Sequence, residues 1–360
     1  MTKTNRIRYF AACNSERGFH SFYSQVFRDT LPRIYIIKGG PGTGKSSLMR
    51  RAADRAEARG FRVEEIYCSS DPDSLDGIIA FDECGREQLA VLDGTAPHIR
   101  ELELAGARDE LFYVGDFWSA AALAKQREDL SRDIRVRADA YRRLFRYLQA
   151  AGQCARNASD TLSDGLDSRK LKETVTSILT EYPIGSGFEE RTMIMRSIGM
   201  CGAFRFPTFE QMASSVYVIR DCAFLAHRLF DEIYAQAKQR HMKMWVSRDP
   251  LIPEHIDGIF FPETERAFVC GENILSEEIA RTKTVHRLSM RRYLSVSLLE
   301  RMAAPLADAE KNEERLMRAA YGVLGEIREI HFHLEKMYVN AMDFDGLNAH
   351  TEQWLEKILP

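Results

Sequence analysis

Residues 39–46 read Gly-Gly-Pro-Gly-Thr-Gly-Lys-Ser, and no other string limits the folds open to this chain as strongly. Glycines this dense cost too much backbone entropy for a helix or strand interior, so the string is a tight loop. A β-branched run at 33–37 precedes it, the mark of a buried strand. Residues 46–58 follow with Leu48, Ala52 and Ala56 at near-helical spacing and Gly60 as a stop. A strand, a glycine loop and a helix in this order satisfy G-x-x-x-x-G-K-[ST] in its required context. The glycines let the main chain curl so that its N–H groups point at a β-phosphate, and the helix N-terminus adds a favourable dipole.

The expected nucleotide-binding set is Gly39, Gly40, Pro41, Gly42, Thr43, Gly44, Lys45, Ser46 and Ser47. Lys45 would reach the β- and γ-phosphates and the Ser46 hydroxyl would ligate Mg²⁺. Such a site also wants a carboxylate at the end of a neighbouring strand. Leu89-Ala-Val-Leu-Asp93 has that form and makes Asp93 the second magnesium residue. No glutamate follows Asp93, so water must be activated from elsewhere or turnover is slow. Asp71, after a strand at 61–68, is a catalytic candidate, although Asp-Pro-Asp at 71–73 also reads as turn chemistry. Thr95 and His98 lie just beyond the strand end and are weaker candidates. With a further strand at 111–114, the alternation of strands and helices predicts an α/β fold with a parallel sheet flanked by helices.

A length of 360 residues allows two such domains, and the sequence repeats itself. Ile34-Tyr-Ile-Ile-Lys38 returns as Val216-Tyr-Val-Ile-Arg220, and Leu75-Asp-Gly-Ile-Ile79 as Ile256-Asp-Gly-Ile-Phe260. Leu89-Ala-Val-Leu-Asp-Gly94 returns as Arg266-Ala-Phe-Val-Cys-Gly271. Ser70-Asp-Pro72 resembles Arg248-Asp-Pro250, and Asp164-Gly-Leu166 resembles Asp345-Gly-Leu347. The expected domains are 1–185 and 190–360, joined by a Pro/Gly/Ser linker at 182–187. Asp76 recurs as Asp257, which suggests a structural role. Each copy ends in a long amphipathic helical stretch, 122–155 and 298–342, read as a layer packed on the sheet or its twin, or as a partner-binding arm.

The second copy has lost the loop. Laid over residues 38–46 it reads Arg220-Asp-Cys-Ala-Phe-Leu-Ala-His-Arg228, which sets His227 at the lysine position and Arg228 at the serine position. Asp93 aligns with Cys270, so one nucleotide per chain is expected. An arginine of the second copy, from 220, 228, 248, 266, 287, 291 and 292, could complete the intact site from across a pseudo-dimer. The aromatic segment Tyr9-Phe10 and Gly18-Phe-His-Ser-Phe-Tyr23 could stack on a base or pack on the sheet.

The net charge of -3 and the lack of a helicase-like motif series argue against a nucleic-acid motor. Seven scattered cysteines without Cys-x2-Cys spacing argue against zinc and for a reducing compartment. No apolar run approaches the roughly 18 residues of a membrane span, and no secretory leader is visible, so a cytoplasmic location without membrane contact is expected.

The chain resembles a family of uncharacterised bacterial proteins with two tandem P-loop ATPase domains. The resemblance rests on the 39–46 loop, Cys68-Ser-Ser-Asp71 with Ser74-Leu-Asp-Gly77, Leu92-Asp-Gly-Thr-Ala-Pro-His98, Gly115-Asp-Phe-Trp118 and Ala341-Met-Asp-Phe344. It implies a P-loop NTPase fold and ATP binding, and in similar members the second domain usually keeps its own loop. A slow or partner-regulated ATPase is the leading reading. A small-molecule or nucleotide kinase and a non-catalytic nucleotide-sensing scaffold are the alternatives.

Overall fold

Residues 6–182, 184–185, 187–272 and 274–359 are described by the computed structural model of the protein. The expected linker at 182–187 includes residues 183 and 186, which lie outside the described residues. In chain order the first copy contains β1 (Arg6–Phe10), β2 (Ala12–Ser15), β3 (Gly18–Ser21), α1 (Tyr23–Val26), β4 (Ile34–Lys38), α2 (Lys45–Ala58) and β5 (Arg62–Tyr67). It continues with β6 (Leu75–Phe81), β7 (Glu87–Asp93), β8 (Asp109–Tyr113), α3 (Ala120–Lys125), α4 (Arg127–Ser163) and α5 (Ser168–Thr180). The second copy opens with β9 (Glu189–Thr192), β10 (Arg196–Gly199), β11 (Gly202–Arg205), α6 (Thr208–Met212), β12 (Ser215–Arg220) and α7 (Ala226–Gln239). After these come β13 (Lys243–Arg248), β14 (Ile256–Phe261), β15 (Arg266–Cys270), α8 (Glu277–Thr282), β16 (Thr284–Ser289), α9 (Val296–Val339) and α10 (Phe344–Ile358).

Both copies build one six-stranded sheet of the same topology, β1-β5-β6-β7-β4-β8 and β9-β13-β14-β15-β12-β16. The sheets are mixed rather than parallel, which corrects the expectation. β6 runs antiparallel to β5 and β7, and β14 antiparallel to β13 and β15. The cause is local: β6 and β7 are joined by a tight turn closed by Asp82 N–H to Arg86 O, with Gly85 at φ 76°. A connection that short permits only antiparallel pairing, because a parallel partner needs a long crossover. The three remaining pairings of each sheet are parallel and seat the loop strand between two parallel neighbours, with β4 flanked by β7 and β8.

The copies meet around a pseudo-two-fold. Phe10 and its counterpart Ile194 exchange main-chain hydrogen bonds of 2.8 and 3.0 Å. Trp118 bridges Met342 while Leu294 bridges Leu166, the same contact made twice in opposite directions. Consequently each last helix covers the other copy's sheet. Leu347 and Leu355 of α10 enter the core beneath Tyr35 and Met49, and Leu171 and Leu179 of α5 enter the core with Leu229 and Phe230. The long helices α4 and α9 pack antiparallel on each other, through Leu144, Leu148, Leu324 and Ile327, with His333 Nδ1 at 2.5 Å from Asp133 Oδ2. The twin-helix layer is thus the one observed. Its stripe passes through Asp133, Ala140 and Leu144 and leaves Ile134 exposed. Among the described residues no helix is long and apolar enough to cross a membrane.

These contacts also reset two of the sequence matches. Asp343 and Asp167 each cap the last helix of their copy and each donate their N–H to the segment before the long helix. Met342 is therefore the counterpart of Leu166, and the Asp-Gly-Leu strings are not equivalent. Likewise Cys68 N–H bonds Ser74 O as Asp249 N–H bonds His255 O, so Asp249 stands at the place of Cys68 rather than of Asp71.

Candidate functional site

The 39–44 loop leaves the carboxyl end of β4, inside the sheet, and enters α2 at Lys45. Gly42 and Gly44 take left-handed φ values of 69° and 88°, which a side chain would strain. Thr43 Oγ1 donates to Gly40 O at 2.8 Å and pins the curl. Among the described residues, the N–H groups of Gly40, Gly42, Thr43 and Gly44 donate to no protein acceptor, and α2 has no side-chain cap. A helix N-terminus left with a ring of free N–H donors is an anion cradle.

The side chains converge on that cradle. Lys45 Nζ donates to Gly39 O at 3.0 Å and Gly40 O at 2.6 Å, and lies 3.5 Å from Asp93 Oδ2. Asp93 ends β7, directly beside the loop strand with no strand inserted between them. Burial raises the Asp93 pKa while the Lys45 ammonium opposes the rise. Thr95 N–H donates to Asp93 Oδ1 at 2.8 Å, and Thr95 Oγ1 donates to Gly39 O at 3.1 Å, so Thr95 ties the carboxylate to the loop. Ser46 Oγ accepts Leu75 N–H at 2.9 Å, and Ser47 is exposed one residue further along the helix.

Asp71 sits apart from this group. Its carboxylate accepts Asp73 N–H at 3.3 Å and its carbonyl accepts Ser74 N–H at 3.0 Å, the bonds of a turn residue. Burial raises its pKa, and His331 and Glu335 of α9 are its titratable neighbours across the copies. His98 turns away from the loop into a buried pair with Asp76, Nε2 to Oδ2 3.0 Å, with Tyr23 stacked on its ring at 4.2 Å. Tyr9, Phe10, Phe22 and Tyr23 are all buried, so the aromatic N-terminal segment is packing.

The second copy reaches the intact loop through Tyr338 and Glu335 of α9. A Cβ on Gly40 would stand 2.6 Å from the Tyr338 ring, and one on Gly42 would stand 3.0 Å from the main-chain oxygen of Glu335. The end of α9 therefore lies directly on the loop, a contact sequence reasoning missed because neither residue carries a motif. Of the seven candidate arginines, Arg220 pairs with Glu272, Arg248 with Glu190 and Arg266 with Glu181, Arg228 donates to Ser163 Oγ, and Arg287 and Arg292 line a groove beside α5.

At the matching place in the second copy, α7 starts after a loop one residue shorter. Strand register equates Lys38 with Arg220, since each pairs with the last residue of its edge strand. Leu229, Phe230 and Ala237 repeat the burial of Leu48, Met49 and Ala56, so Lys45 corresponds to Ala226 and Ser46 to His227. This corrects the alignment by one residue. Asp221 Oδ1 accepts the N–H groups of Cys222 at 2.7 Å and Ala226 at 2.8 Å. Ala223 and Phe224 are held at φ 53° and 60° without being glycine. Where the first copy leaves donors free, the second fills them with its own carboxylate. Compared with protein-family models, curated proteins and solved structures, the chain matches none.

Proposed function

We propose that the first copy is a P-loop module that binds one nucleoside triphosphate, ATP by the resemblance, with Mg²⁺, and hydrolyses it slowly under the influence of the second copy. The observation that carries this reading is the cradle of free N–H donors with Lys45 and Asp93 at its mouth. Phosphate oxygens would replace the loop carbonyls and Asp93 as partners of Lys45. Ser46 and Asp93 suit Mg²⁺, which keeps most of its water and takes few protein oxygens; the ion would neutralise charge on the β- and γ-oxygens. Activation of water has no carboxylate following Asp93 to carry it, which fits a low basal rate. The end of α9 on Gly40 and Gly42 couples loop occupancy to the α4–α9 layer, and so to the second copy.

The test is equilibrium binding of ATP together with phosphate release. Lys45→Ala should weaken ATP binding at least tenfold and abolish phosphate release. Asp93→Asn should remove the magnesium dependence of binding while leaving part of the metal-free affinity. ATP binding that ignores both substitutions would overturn the reading. Binding without phosphate release points to the sensing scaffold, and turnover only with an added acceptor points to the kinase.

A further inference from the structure

A second groove, of about 1150 Å³, opens in the other copy between α5 and the sheet edge at β16. Its counterpart in the first copy is closed. There His350 and Trp354 of α10 pack on Phe112, with Trp354 also on Tyr35 at 5.4 Å. Cap Asp167 matches cap Asp343, so the corresponding residues of α5 are Thr174 and Ile178. Smaller side chains at both places leave the groove open.

Its charge changed as well. Strand register sets His286 at the place of Glu110 and Arg287 at that of Leu111. The same spacing through the bridges at Trp118 and Leu294 sets Arg292 at the place of Asp116, and the caps set Lys170 at that of Gly346. Four lining positions that are neutral or acidic in one copy are thus cationic or imidazole in the other. Both lining carboxylates have partners already, Glu181 with Arg266 and Glu173 with Arg169. Among the described residues Lys170, Arg287 and Arg292 pair with no carboxylate. The sheet wall carries a cross-strand row in which Phe268, Tyr217 and exposed His286 stack at 4.5 and 4.4 Å.

We propose that this groove binds a ring-bearing organic phosphate of nucleotide size, with the phosphate on Arg292 and Lys170 and the ring continuing the stacked row at His286. The volume is that of a small-molecule site and far exceeds an inorganic anion. Cations without a carboxylate partner attract the charge, and a flat ring adds stacking energy. This site is independent of the phosphate loop.

The experiment titrates AMP, GMP, inorganic phosphate and a ten-residue oligo-dT into the Lys45→Ala protein, which leaves the groove intact. AMP or GMP should saturate one site, with inorganic phosphate at least tenfold weaker. Ile178→Trp, which restores the first copy's filling, and Arg292→Asp should each weaken binding at least tenfold without lowering Tm. No saturable nucleotide binding, or binding indifferent to both variants, overturns the proposal. Equal affinity for inorganic phosphate removes the ring contact, and tighter oligo-dT binding with the same sensitivity makes the groove a nucleic-acid surface instead.

Discussion

The loops at the heads of α2 and α7 solve one electrostatic problem in opposite ways. Both helices present free N–H groups and the positive end of a macrodipole. The first copy leaves the donors open and holds a lysine beside them. The second shortens the loop and folds Asp221 onto the donors. The difference extends inward. Asp76 pairs with His98 in the first copy, whereas its counterpart Asp257 pairs with Arg196 at 2.6 Å, and Arg196 also pairs with Asp249. Cys270 replaces Asp93 in that setting, with its thiol pushed up by burial. Where the first copy leaves its donors open, the second closes them from within, with an internal anion, an arginine held between two carboxylates and two left-handed residues.

The seam between the copies offers the largest test of how far they depend on each other. Arg191 of β9 makes a two-point ion pair with Glu64 of β5, at 2.8 and 2.9 Å, and Glu64 is fully buried. Burial alone would raise the Glu64 pKa, but Arg191 and Arg62 hold it low. At the mirror-related place the two residues are Ile7 and Trp245, so the seam is asymmetric. Arg191→Ala should cost about 3–5 kcal/mol, because a buried carboxylate loses its main partner. Urea unfolding should show both copies losing stability in one transition. A change under about 1 kcal/mol would mean that Arg62 suffices.

Next in size is the internal anion. Asp221→Ala removes the acceptor for two N–H groups at the head of α7 and should cost about 1–2 kcal/mol, as lost helix caps do. It should not create a second nucleotide site, since Ala226 and His227 stand where Lys45 and Ser46 would be needed. ATP stoichiometry by calorimetry should remain unchanged. A rise to two per chain would show that Asp221 alone had closed the second loop.

Much of this comparison was legible in the sequence. The strand–loop–helix unit, the acid at the end of β7 and the loss of both in the second copy all follow from residue type and spacing. The antiparallel β6 was not recognised, although the turn at Asp82–Gly85 carried the signal. The one-residue shift at α7 escaped because helix phase is set by which side chains are buried, and Leu229 and Phe230 settle it only once packed. The ends of α9 and α10 were out of reach for a different reason. Their placement on the other copy follows from the pseudo-two-fold, a long-range arrangement that no local pattern encodes. Tyr338 and Glu335 carry no motif, and their importance lies in Gly40 and Gly42 opposite them.

The smallest effect concerns acid. His227, at the serine position of the lost loop, stacks on His255 at 3.8 Å and shares its Nδ1 with Phe224 O at 2.9 Å. Burial, and for His227 the neighbouring His255, lowers both pKa values to about 4. An unfolded histidine titrates near 6.5, so between about pH 6.5 and 4 the unfolded chain binds more protons than the folded one. Stability from this pair is therefore complete above about pH 6.5 and falls as pH drops toward 4. The loss should be on the order of 1 kcal/mol at pH 5, less than two isolated shifts would give because His255 is partly exposed. The first copy holds Ser46 and Ser74 at these places, and the double change His227→Ser with His255→Ser should flatten the thermal-stability curve in that window. An unchanged slope would assign the acid sensitivity to the buried carboxylates instead.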